Sequence, residues 1–86
     1  KGRQTRLKEL QNETRTIIFY ESPNRLVKAL QELAETFGKE RMCSVSRELT
    51  KIHEETKRGT LEELISYFGQ KEVKGEIVIV LKEEDR

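Results

Sequence analysis

At 86 residues the chain can bury one modest core and no more, so it is a single small domain. A net charge of +1, with 38% of residues charged, excludes the pervasive basic field of a general polyanion binder; any site for nucleic acid has to be local. No stretch is apolar enough to cross a membrane and no signal peptide is visible, while the lone Cys43 cannot form an internal disulfide, which suits a reducing cytoplasm.

In chain order, residues 1–12 carry Leu7 and Leu10 three apart in a polar background, which reads as a short helix whose Lys1, Arg3, Arg6 and Lys8 form a solvated face. "TRTIIFYE" is a strand with apolar residues on both faces, and we expect it to be central. Ser22 and Pro23 then open a helix, the serine as cap and the proline at the first helical position. Its stripe of Leu26, Val27, Leu30, Leu33, Ala34 and Phe37 predicts one broad buried face, ended by Gly38.

"RMCSVSREL" alternates again and makes a second strand, with Cys43, Val45 and Arg47 on one face and Met42, Ser44, Ser46 and Glu48 on the other. "IHEETKR" is a third strand only if it lies at a sheet edge, because it is almost wholly polar. Thr60 and Glu63 have the spacing of a capping box ahead of Leu61, Leu64, Ile65 and Phe68, so a second helix follows, and "GEIVIVLKE" closes the chain as a strand apolar on both faces. The order contains no internal repeat and fits a split βαβ pattern. A ferredoxin-like or RNA-recognition arrangement would place the polar third strand centrally and furnish it with base-stacking aromatics, and His53 is its only ring. The expectation is therefore an α/β (α+β-like) fold: a mixed four-stranded sheet with 17–20 and 77–81 in the middle, the 42–58 hairpin outward, and helices packed against it.

Three stretches break local rules. Arg25 puts a cation near a helix N-terminus, where the dipole favours an acid; it either pairs with Glu21 over apolar surface or joins the exposed N–H groups in an anion site, and the two are compatible. "SRELTK", Ser46 to Lys51, replaces ordinary hairpin residues with two cations, an acid and hydroxyls. "KRGT", Lys57 to Thr60, sets two more cations before the second helix, which a solvated edge would explain alone. One His, one Cys and scattered acids give no metal-ligand spacing, and neither a Ser-His-Asp set nor a glycine-rich phosphate loop is present.

Taken together, "TIIFYESPNRL", "SRELTKIHEETKRGTLEEL" and "KGEIVIVL" closely resemble the C-terminal part of the tetrapyrrole (corrin/porphyrin) methylase superfamily, in its branch that modifies ribosomal RNA. The likeness extends to the leading "KGRQTRL", similar to the segment between the two halves of such enzymes. The resemblance implies a two-domain, homodimeric, cytoplasmic methyltransferase that binds S-adenosylmethionine in the cleft between its domains. Residues 1–14 would be the inter-domain segment with its short helix and 15–86 the C-terminal substrate and cofactor-cleft domain, with the N-terminal domain that forms most of the cofactor site absent. Lys1 in place of Met likewise leads us to expect a piece of a longer protein, inactive in isolation.

The reaction so implied is 2′-O-methylation of a cytidine ribose in small-subunit ribosomal RNA, the partner being that RNA or the small ribosomal subunit. Arg25, Arg47, Lys51 and Ser22 would line the cleft and hold a phosphate or carboxylate. Glu48 would be either the base that takes the hydroxyl proton or the partner of a nearby arginine. A tetrapyrrole methyltransferase acting on a carboxylate-rich substrate is the alternative, and a non-catalytic RNA-binding or dimerisation module a second.

Overall fold

A computed structural model of the chain describes residues 9–10, 14–50 and 53–83. Strands β1 (Ile17–Glu21), β2 (Met42–Thr50), β3 (His53–Thr60) and β4 (Glu76–Leu81) form one sheet; helix α1 (Leu26–Phe37) follows β1 and helix α2 (Leu61–Phe68) follows β3. The predicted four-stranded sheet with two packed helices is therefore present, while the leading helical segment and Lys51 lie outside the described residues.

The strand order is β1-β4-β2-β3, with all three pairings antiparallel. β1 and β2 thus run the same way with β4 inserted between them, a split βαβ unit in which α1 makes the crossover. As expected, β4 is central and the polar β3 is at an edge. β1, expected to be central, is instead the outer strand among the described residues. Two apolar faces express a need for cover above and below the sheet and do not fix a strand's lateral place. Ile18 and Tyr20, on the outward face of β1, are 56% and 79% exposed. The inner position goes to β2, which is held by its hairpin to β3 on one side and by β4 on the other.

Both helices lie on one face. Leu26, Ala29, Leu30 and Leu33 of α1 and Leu61, Leu64 and Phe68 of α2 interlock with Cys43, Val45, Ile77, Ile79 and Leu81 of the sheet in a single buried cluster. Each fully buried aliphatic chain there contributes about 1.5–3 kcal/mol. Burial pushes the Cys43 thiol from 9.0 up to about 12, so it is a core side chain and no nucleophile.

The start of α1 differs from the expected serine cap. Pro23–Arg25 form a 3-10 turn, closed by the Arg25 N–H donating to the Ser22 carbonyl at 3.1 Å. Ser22 has the extended backbone of a capping residue, but its hydroxyl donates to Asn24 Oδ1 at 2.9 Å and caps no helical N–H. The short turn brings the Asn24 side chain within reach of the hydroxyl and tightens the helix entrance before the α geometry begins at Leu26. The second helix starts as the sequence predicts: Thr60 Oγ1 accepts from the Glu63 N–H at 3.1 Å, and Glu63 Oε1 accepts from the Thr60 N–H at 2.8 Å.

Candidate functional site

The strand register collects the suspected residues at one end of the sheet. Glu21 of β1 pairs with Ile77 of β4, Ile77 with Arg47 of β2, and Arg47 with Glu55 of β3. With neighbouring strands about 4.8 Å apart, Glu21 and Arg47 stand roughly 10 Å from each other on the helix-bearing side, with the buried Ile77 between them. The 3-10 turn after β1 then brings Ser22 and Arg25 to the same rim.

Each arginine of the rim has an acid. Arg25 Nε lies 3.7 Å from Glu21 Oε2, the guanidinium about half exposed and the carboxylate almost fully covered. The same Glu21 oxygen accepts from the Ser22 N–H at 3.1 Å. This answers the anomaly of a cation at a helix entrance: an α-helical first turn is not formed there, and the carboxylate one turn back balances the charge. Arg47 donates from Nε to Glu55 Oε1 at 2.7 Å, with Nη2 at 2.6 Å from the same oxygen, across the edge of the sheet.

Glu48 projects to the opposite face, where the register sets it between Glu54 and Glu76. Among the described residues its carboxylate pairs with neither arginine. The geometry therefore brings Ser22, Arg25 and Arg47 together at one rim and separates Glu48 from them by the thickness of the sheet. Lys51, the fourth predicted anion contact, falls outside the described residues.

Beside the rim is an open groove of about 430 Å³ lined by Tyr20, Glu21, Ser22, Pro23, Gly75 and Ile77, among others. Gly75 makes this corner possible. Its φ is +96°, and a Cβ there would fall on the carbonyl oxygen of Glu48, so the chain entering β4 approaches β2 more closely than any side chain allows. Reading the strand from its apolar run does not reveal that close approach, though the glycine just ahead of it is a signal. Equally invisible is Glu55, which looks like one more acid on a polar edge until the hairpin register sets it opposite Arg47. Among the described residues no cluster of His, Cys, Asp or Glu can hold a metal ion, and no helix is long and apolar enough to cross a membrane.

A split βαβ sheet with two helices on one face, an arginine–carboxylate rim and an adjoining groove defines an α+β domain. No protein-family model matches the chain. Individual proteins do: it is 48% identical over 79 residues to the ribosomal RNA small subunit methyltransferase I of Synechocystis sp., covering 92% of this chain and 28% of that protein. The proteins of the same name from Thermotoga maritima and Bacillus subtilis are 44% and 40% identical over 94% and 95% of this chain, which spans 36% and 28% of their lengths. The chain is thus a homologue of one part of the ribosomal RNA small subunit methyltransferase I family, a tetrapyrrole methylase family, and spans about a third or less of these relatives.

Proposed function

We propose that residues 15–86 form the C-terminal cleft domain of an S-adenosylmethionine-dependent methyltransferase that methylates the 2′-hydroxyl of a cytidine ribose in small-subunit ribosomal RNA. Residues 1–14 form the segment leading from an N-terminal domain. The observation that carries this reading is the 40–48% identity, over more than nine-tenths of the chain, to proteins named for that RNA. In this reading the enzyme works in the cytoplasm, as a homodimer, on the RNA or the small subunit.

The groove beside Ser22 is open, and the Glu21 carboxylate that lines it is already engaged by Arg25 and the Ser22 N–H. We therefore assign the cofactor mainly to the N-terminal domain that this chain does not include. The work of this chain is to hold RNA: Arg25, Arg47, Ser22 and Lys51 take backbone phosphate, the two arginines sharing their guanidinium N–H groups between substrate and their carboxylate partners. Glu48 is the candidate acceptor for the ribose hydroxyl proton only for RNA that passes around the sheet end, since the carboxylate lies on the helix-free side and the phosphate contacts on the other.

The test is transfer of tritiated methyl from S-adenosylmethionine by the full-length protein, offered small subunits lacking the modification and, separately, a uroporphyrinogen or precorrin. Label on a cytidine ribose is the expected result. Label only in the tetrapyrrole would overturn the RNA reading and reassign the arginines to substrate carboxylates, and turnover by the isolated 86 residues would overturn the division of labour between domains.

A further inference from the structure

Away from the rim, on the outer flank of β3 where α2 packs beside it, a second groove of about 530 Å³ is lined by Lys57, Arg58, Glu63, Tyr67 and Lys71 together with Ser66 and Gln70. Two ammonium groups converge on one ring there: Lys57 Nζ is 4.6 Å and Lys71 Nζ 4.8 Å from the centre of Tyr67. Each ammonium group is held against the ring, and among the described residues neither is paired with an acid. The one carboxylate lining the groove, Glu63, already accepts from the Thr60 N–H in the capping box, and neither lysine nor Arg58 forms an ion pair among the described residues. Tyr67 is fixed in turn, edge-on to Phe68 at 4.9 Å between centroids, with Phe68 buried in the core. The cations are therefore gathered by a ring anchored to the rigid part of the fold.

We propose that this groove is a second RNA-backbone subsite, in which Lys57, Lys71 and Arg58 take phosphates of the same RNA strand outside the cleft. The inference rests on the ribosomal RNA reading above. A phosphodiester backbone fits because it offers closely repeated negative charges without requiring a shaped cavity, and cations left without acids are free to release its counterions. The ring holds the lysines in place, so less side-chain freedom is lost on binding than for two lysines on an open surface.

The experiment measures binding of a small-subunit ribosomal RNA transcript to the full-length protein as a function of salt, for the wild type, for Lys57→Gln with Lys71→Gln, and for Lys28→Gln. Lys28 is an exposed lysine of α1. We expect the slope of log affinity against log salt to become shallower by about 1.4 in the double variant, two phosphate contacts at roughly 0.7 each for a single strand, and to stay unchanged in Lys28→Gln. An unchanged slope in the double variant, while the wild type binds and methylates the RNA, would overturn the subsite and leave the enzyme reading standing. An equal loss in Lys28→Gln would overturn it as well, by showing only a general charge effect. A wild type that neither binds nor methylates the RNA would remove both.

Discussion

The molecule presents two cationic regions of opposite design. At the sheet rim Arg25 and Arg47 are each matched by an acid, Glu21 and Glu55, whereas on the flank of β3 Lys57 and Lys71 share an aromatic ring and, among the described residues, no acid. A matched rim is arranged before any ligand arrives, and a substrate anion must share donors that are already used. An unmatched groove gains more from an anion but fixes it less closely, since an ammonium is a point charge and a guanidinium a directed fork. On the proposed RNA reading, the rim would orient substrate and the groove would add affinity.

The sharpest way to break the rim without touching an arginine is Gly75→Ala. The added methyl meets the Glu48 carbonyl and the φ of +96° becomes strained, so β4 must withdraw from β2 beside Arg47. A loss of about 2–4 kcal/mol is expected in urea unfolding. An unchanged midpoint would show that the close approach is not needed for the fold.

Arg47→Ala comes next, at about 1–2 kcal/mol, because the guanidinium is largely covered, donates from Nε to Glu55 Oε1 and places Nη2 in ion-pair contact with the same oxygen. Arg47→Lys should recover part of the stability and little of the RNA binding, which separates charge from the directed fork. Equal recovery of both would mean that the rim reads charge alone.

Thr60→Ala costs about 1 kcal/mol through the lost hydroxyl acceptor for the Glu63 N–H, while the backbone N–H of residue 60 still holds the Glu63 carboxylate on the border of the basic groove. Glu63→Gln sharpens the contrast further: the amide oxygen can still accept from the Thr60 N–H, so stability should move by less than about 0.5 kcal/mol while one negative charge leaves the groove. RNA affinity at low salt should then rise, and a fall would contradict the view that this groove attracts phosphate.

How these regions relate to the sequence depends on the kind of information each needs. The helix stripes, the Thr60–Glu63 box and the edge place of β3 follow from local spacing and polarity, and the structure bears them out. The lateral place of β1 does not, since its alternating pattern specifies two faces and says nothing of which strand lies beside it. The rim is half legible: Arg25 and Arg47 stand out in stretches that break local rules, but Glu55 as the partner of Arg47 depends on hairpin register. The convergence of Lys57 and Lys71 on Tyr67 joins a strand to the turn beyond a helix, a contact that only the tertiary fold creates. "KRGT" by itself looks like a solvated edge.

A comparably small effect on stability belongs to the cation at the entrance of α1. Arg25 is about half exposed and its Nε stands 3.7 Å from Glu21 Oε2, so solvent screens the pair and Arg25→Ala should cost no more than about 0.5 kcal/mol. Glu21 keeps its Ser22 N–H donor, which limits the penalty for the carboxylate left behind. A substrate phosphate has no such substitute at this rim position, so RNA binding by the full-length protein should weaken far more than folding does. Thermal melting and RNA titration of the same variant give the two numbers: near-wild-type melting with weakened binding places Arg25 in the cleft, whereas a large drop in melting temperature with intact binding makes it a brace for the 3-10 turn and removes it from the site.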